Sequence, residues 1–394
     1  MQGSADTGAP AGGDLDELDR ALVHALQIRP RAPWSLIGSV LGVDPVTVAR
    51  RWKRLSAEGV AWIDGYLSPA FDHAVHAHVE IVTDGALLAG ISAVLADDPE
   101  VMSLKQTSGS RDLLAIVVAR DLGRLVDYVS ERICRVPGVR TTRIHVITMA
   151  PFEGSKWRLR ALTPAQRARL AEPERERAAP VGQLSPLDHR IALALGRDGR
   201  LPLNELAART GTSVATARRR LRALVDSGRL SMRCTVARPL SGYPVSAVYF
   251  ASVPAEHLDA AARALRTLPE LRLCTVTAGP HNLILDMWLR ALPDVHALEV
   301  HLARELSGLS LRVNERAVVL RTVKHVGRVL DGRGFGVKAV PMDLGADAVV
   351  GAGPVTGADA TGPVVGADGA DGADGADGAD GADGGQPPAP HRLG

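Results

Sequence analysis

Apolar residues recur at Leu18, Leu22, Ala25 and Leu26, and again at Leu187, Ile191, Ala194 and Leu195. Each set lies on one face of a helix. Asp16 and Ser185 suit the N-cap, and Pro186 suits a first helical turn. A second short helix is predicted over 36–41 and 205–210. Gly42 and Gly211 close it, because glycine enters the left-handed turn freely. A third helix follows in each copy, capped by Asp44 or Ser213, with Pro45 in its first position. Its buried stripe is Val48, Trp52 and Leu55, or Ala217, Leu221 and Leu224, at i, i+4 and i+7. Gly59 and Gly228 end it.

After each triplet of helices the period changes. Strands are predicted at 76–83, 101–107, 112–119 and 140–149, with helices at 87–96 and 122–135. The second block repeats this with strands at 246–253, 272–277, 282–289 and 311–320, and helices at 255–268 and 295–306. The order βαββαβ is that of the ferredoxin-like plait, with helices on one face of an antiparallel sheet. The other sheet face needs a cover, and a second such sheet is the simplest. The expected fold is α+β: two winged-type helix-turn-helix domains (14–64 and 184–233) alternating with two ferredoxin-like domains (70–151 and 244–328). A charged stretch over 152–183 reads as a linker, in part helical. Residues 1–13 and the GAD-repeat tail 343–394 read as disordered.

The two third helices are nearly the same sequence, TVARRWKRLSAEG at 47–59 and TARRRLRALVDSG at 216–228. With the apolar stripe inward, Arg50, Arg51, Lys53 and Arg54, and Arg218, Arg219, Arg220 and Arg222, are expected to face outwards. A glycine turn followed by a helix with one basic face is a helix-turn-helix pattern, whose second helix enters the DNA major groove. The candidate DNA contacts are these eight residues with Thr47 and Thr216. The plainer alternative, a solvated charged face on a three-helix bundle, explains one copy more easily than two in register.

Charge supports a polyanionic partner. The net charge of +2 conceals nine aspartates and one arginine after Met342. The body of the chain therefore carries +10 against −8 in the tail. No apolar run approaches the roughly 18–20 residues of a membrane span, and the N-terminus lacks a signal-peptide pattern. A cytoplasmic protein is expected. The three cysteines form no CxxC pair, which disfavours a zinc site or a disulfide framework. His73, His76 and His78 form HxxHxH, and two of them would share a strand face, but nothing completes a ligand set. No metal, cofactor or catalytic residue is expected: there is no P-loop, GxGxxG after a strand, GxSxG or HExxH.

The ordered set LDRALVHALQ, LGVDPVTVARRWKRLSAEGV and SGSRDLLAIV resembles the Lrp/AsnC family of transcription regulators. So does its second copy, LDHRIALALGRDGR, TGTSVATARRRLRALVDSG and AGPHNLILDMW, followed by LRTVK. The resemblance implies a regulator that binds double-stranded DNA and answers to an amino acid or related effector. It also implies an effector loop, Gly-x-x-Asp, matched here by Gly109, Arg111 and Asp112. Gly279, His281 and Asn282 stand in the second copy, where Asn replaces the Asp that would hold an ammonium. Read without the resemblance, these are hairpin turns of the kind Asp and Asn favour. Family members usually carry one unit and assemble; this chain fuses two and so resembles a built-in dimer that could associate further. Two other readings share the scaffold. One is an enzyme resembling the siroheme decarboxylases, which the basic faces argue against. The other is an amino-acid-binding module without DNA contact.

Overall fold

The computed structural model describes residues 15–67, 74–171 and 184–343. The two segments expected to be disordered, apart from Asp343, lie outside them, as do His73 and the end of the charged stretch. The first unit has helices α1 (Glu17–Ile28), α2 (Trp34–Leu41) and α3 (Pro45–Ala57), then strand β1 (Ala61–Leu67). Asp16 and Asp44 cap α1 and α3 by accepting from Asp19 N and Val46 N. Gly42 follows α2 at φ 71°, and Gly59 follows α3 at φ 67°. A Cβ on Gly59 would also lie 2.1 Å from the carbonyl oxygen of Gly336.

The first plait comprises β2 (Val75–Thr83), α4 (Leu88–Ala96), β3 (Val101–Thr107), β4 (Leu113–Ala119), α5 (Leu122–Asp127) and β5 (Val139–Phe152). The short helix α6 (Pro164–Leu170) follows. The second unit repeats the plan: α7 (Pro186–Arg197), α8 (Leu203–Thr210), α9 (Val214–Asp226) and β6 (Leu230–Val236). Its plait has β7 (Val245–Ser252), α10 (Leu258–Leu265), β8 (Leu271–Ala278), β9 (Leu283–Leu289), α11 (Asp294–Glu305) and β10 (Arg312–His325). Two short strands, β11 (Arg328–Leu330) and β12 (Gly336–Ala339), close the described chain.

Two pairings join the halves. Strand β1 runs antiparallel to β6, from Ala61 opposite Val236 to Leu67 opposite Leu230. The hydrophobic pattern marks no strand range at either place. Each follows the recognition helix, and each finds its hydrogen-bonding edge in the other unit. The second pairing is between the plaits. The sheet order β10-β3-β4-β2-β5-β8-β9-β7 returns to β10, giving a closed ring of eight strands. Strands β5 and β10, 14 residues each, make the crossing. The first part of β10 pairs with β7 in its own plait, and from Val319 onward it pairs with β3. β5 does the same with β2 and then β8, with bulges that bend the strand at the changeover. Closure leaves no open edge in the ring.

The outer face of each half-ring packs under its helices. Ile91, Leu95, Leu125 and Ile133 cover one half, and Ala261, Leu265, Leu298 and Leu302 the other. The inner face holds an apolar layer of Leu114, Val248, Phe250, Ile284 and Val319. Alternation along the strands also turns Glu80, His78, Lys105, Thr275 and Asp286 inward, and all five are buried.

Part of the stretch read as a linker is packed. Leu162 and Leu170 join the core of the first helical unit. Leu162 N donates to His24 Nδ1 at 3.0 Å and Leu159 N to Gln27 Oε1 at 2.9 Å. Buried polar groups on α1 thus find partners in the chain that passes over them.

Candidate nucleic-acid interface and effector turns

The recognition helices α3 and α9 bury Val48, Trp52 and Leu55, and Ala217, Leu221 and Leu224, as the spacing predicted. Arg50, Lys53, Arg54, Arg218, Arg219 and Arg222 are exposed; Thr47 and Thr216 are half-buried. The expectation that all the basic residues face outwards needs correction at two equivalent positions. Arg51 turns back to Asp16 at 2.5 Å and Asp19 at 2.9 Å. Arg220 turns back to Asp188, with Nε at 2.9 Å from Oδ1. Asp19 is 2% exposed and Asp188 is fully buried. A buried carboxylate demands a cation, and the first helix of each unit obtains one from the recognition helix. Burial works to raise the Asp188 carboxyl, but hydrogen bonds from Arg220 and Ser185, with the Arg220 charge, hold it below the ordinary value.

Arg54 divides its fork between Asp19 at 2.5 Å and Glu58 at 3.5 Å, and Arg222 lies 3.5 Å from Asp226. Among the described residues, Arg50, Lys53, Arg218 and Arg219 enter none of the ion pairs found. These four therefore carry the exposed, uncompensated charge of the two helices.

The turns expected to hold an effector are braced by hydrogen bonds of their own. Asp112 Oδ2 accepts from Thr83 N at 2.7 Å and from Thr83 Oγ1 at 3.2 Å, tying the start of β4 to the end of β2. Asn282 does the same work in the second plait, accepting from Val253 N at 3.0 Å and donating to Val253 O at 2.7 Å. The Asp-to-Asn change is thus accommodated by a structural role that an amide fills with both of its polar atoms. Gly109 and Gly279 shape the turns, at φ 97° and 157°.

Arg111 is 2% exposed and points into the ring. Its Nε donates to Glu80 at 2.9 Å and its Nη2 to Glu315 at 2.5 Å, while the guanidinium lies 4.1 Å from the centre of the Phe250 ring. His145 Nε2 shares Glu80 at 2.7 Å. Burial raises the Glu80 carboxyl, but the His145 hydrogen bond and the Arg111 charge outweigh it and bring the group down to about 2. His281, the counterpart of Arg111, has its ring 5.7 Å from that of Phe250, and its Nδ1 is 3.0 Å from Asn314 Nδ2. The sequence had no signal for Glu80 or His145. Strand alternation places them inward, but only closure of the ring brings them to Arg111.

His76 and His78 do share the inner face of β2, but each is otherwise engaged. His78 Nε2 lies 3.0 Å from Thr275 Oγ1, and His76 Nδ1 lies 3.3 Å from the Ala74 carbonyl. Among the described residues no group of three or more His, Cys, Asp or Glu side chains could hold a metal ion. No helix among them is long and apolar enough to cross a membrane.

Two helix-turn-helix units on a ring of paired plaits define a helix-turn-helix protein with attached ferredoxin-like domains. Comparison with known families specifies it. Residues 15–56 match the AsnC-type helix-turn-helix domain, 76–157 the Lrp/AsnC ligand binding domain, and 184–230 a winged helix-turn-helix DNA-binding domain. An uncharacterised HTH-type transcriptional regulator of Pyrococcus abyssi is 32% identical over 136 residues, covering 34% of this chain and 86% of the relative. The Bkd operon transcriptional regulator of Pseudomonas aeruginosa is 30% identical over 134 residues, covering 32% of this chain and 86% of its own. The chain belongs to the Lrp/AsnC family of HTH-type transcriptional regulators. Among solved structures, the siroheme decarboxylase NirDL covers 79% of this chain and 93% of its own with a TM-score of 0.54 and 16% identity. That likeness is one of fold.

Proposed function

We propose that this chain is a sequence-specific DNA-binding regulator whose two recognition helices read one site as an intramolecular pair. The observation that carries the reading is that α3 and α9 present exposed basic residues on units tied together by β1 and β6. A family homodimer would need two chains for this arrangement; here the ring and the paired strands supply it within one. The DNA contacts are Arg50, Lys53, Arg218, Arg219 and Arg222, with Arg54, Thr47 and Thr216 beside them, on phosphates and base edges. Arg51 and Arg220 serve by fixing the helices. The signal is an amino acid or related small molecule, received by the plait ring. Gly109, Arg111 and Asp112, with Gly279, His281 and Asn282, frame its turns. The protein acts in the cytoplasm and is not an enzyme.

The test is DNA affinity measured across a salt series. Arg50→Ala with Lys53→Ala, or Arg218→Ala with Arg219→Ala, should weaken binding. Each lost phosphate contact should lower the salt slope by roughly one unit. Unchanged affinity and slope after either pair of substitutions would remove that helix from the interface.

A further inference from the structure

We propose that the end of the ring facing β1 and β6 holds a binding site for an apolar monocarboxylate, with Arg272 as its anchor. The cavity there has a volume of about 440 Å³. Its walls are largely aliphatic: Met102, Ile116, Ile147, Met149, Leu273 and Val326. This is a different region from the turns at 108–112 and 278–282, where Arg111 and Phe250 fill the ring.

Arg272 is 5% exposed. Its guanidinium carbon lies 3.8 Å from the Trp288 ring centre and 4.4 Å from that of Trp157. The two indoles hold the cation, but they engage it through their π faces and accept none of its N–H groups in the plane. Nε and Nη1 of Arg272 have no hydrogen-bond partner among the described residues. Burial opposes the charge, Arg233 and Arg158 add to that opposition, and Asp286 offsets only part of it.

The anions nearby are already in use. Asp286 is ion-paired with Lys105 and accepts from Ser246 Oγ at 3.2 Å. Glu153 accepts from Ser155 Oγ at 2.7 Å and from the Tyr66 hydroxyl at 3.4 Å. Arg233, the next cation on the wall, meets His325 Nε2 at 3.0 Å rather than a carboxylate. Lys105, Arg233 and Arg272 thus face two carboxylates, both engaged, so the site carries an excess positive charge in an apolar enclosure.

A buried guanidinium with free donors is costly unless an anion meets it. A carboxylate matches its fork with two parallel hydrogen bonds. The aliphatic walls then ask for an apolar body on that carboxylate, as in a medium-chain or aryl-alkyl acid. Tyr66 on β1 and Arg233 on β6 are part of the wall. A ligand there touches the strands that join the two helix-turn-helix units. The inference therefore goes beyond the regulator reading by adding a ligand site apart from the turns, and it rests on that reading only for this link.

The test uses the full chain without DNA and two probes of similar shape, octanoate and its uncharged relative octanamide, with binding read by calorimetry and thermal shift. Octanoate should bind and raise Tm, and octanamide should bind at least about tenfold more weakly. Arg272→Met should abolish that preference, while Arg272→Lys should recover part of it. Arg272→Met should leave the Tm of the unliganded protein unchanged or higher, since it removes an uncompensated buried cation. If Arg272→Met does not fold, Ala150→Trp, at the exposed rim of the cavity, should block octanoate while sparing the charges. Failure of octanoate to bind the wild type, equal affinity for both probes, or octanoate binding unaffected by both Arg272→Lys and Ala150→Trp would overturn the proposal. DNA binding takes no part in these readouts, so they stand or fall apart from the regulator reading.

Discussion

Arg31 and Arg200 sit at equivalent places in the two helix-turn-helix units, and each donates to main-chain carbonyls of the other unit. Arg31 reaches Gly199 O at 2.6 Å and Leu201 O at 2.9 Å; Arg200 reaches Pro30 O at 2.7 Å and Ala32 O at 3.0 Å. Arg200 also lies 3.6 Å from the centre of the Trp34 ring. The exchange is the signature of an approximate two-fold axis inside one polypeptide.

Removing either arginine should loosen the pair of helical units. Charged hydrogen bonds of this kind are worth about 1.5–3 kcal/mol each, so Arg31→Ala or Arg200→Ala should lower Tm by several degrees. Lys at either position keeps the charge but loses the fork and should recover little. Retention of the full wild-type Tm by both Ala variants would show that β1 and β6 hold the units unaided.

His24 should make the protein acid-sensitive. It is 2% exposed and accepts from Leu162 N. Burial, then the charges of Arg158 and Arg167, push it down to about 4. The folded protein holds it neutral, whereas the unfolded chain takes up a proton below about 6.5. Its contribution is therefore complete above that value and is lost as pH falls toward 4. His24→Asn keeps an acceptor without a titration, so its Tm should decline less than that of the wild type across this window. Parallel curves would place the acid sensitivity elsewhere.

Asp112 should tolerate amidation better than truncation, because Asn282 already does its work in the other plait. Asp112→Ala leaves Thr83 N without its partner and should cost about 1–2 kcal/mol. Asp112→Asn should cost less than half of that in denaturant unfolding. If both variants lose equally, the negative charge matters more than the clamp.

Much of this architecture can be read in the chain, and the exceptions have physical causes. The buried stripes of α3 and α9 follow from spacing alone, because a helix fixes which side chains share a face. The plait strands follow from β-branched alternation. Strands β1 and β6 are not legible locally, because AWIDGYL and LSMRCTV have no neighbour in sequence to pair with; each is completed from the other half of the chain. Arg51 and Arg220 depart from the outward-facing expectation for a related reason. Their position on the helix surface is correct, but Asp19 and Asp188 lie on other helices and draw them in. Trp157 and Trp288 belong to different blocks, so nothing local could show that they enclose Arg272.

The DNA site should be asymmetric. Val46, Ala49, Lys53 and Arg54 in α3 correspond to Ala215, Arg218, Arg222 and Ala223 in α9. Two recognition surfaces that differ this much should select different half-sites, spaced by about one DNA turn or a multiple. Substitutions in α3 should erase one half of a footprint and those in α9 the other. A perfectly palindromic selected site, with both halves lost together, would instead mean that copies pair between chains.

The closed ring also bears on how such a protein responds to its own abundance. A reader assembled from two separate chains falls apart on dilution, so its occupancy drops with the square of concentration once it is scarce. Eight strands closed within one backbone cannot dilute apart. On the proposed reading of one chain as a complete pair, occupancy of a single site should then follow a simple hyperbola down to a few copies per cell, and a doubling of expression should never do more than double the bound fraction.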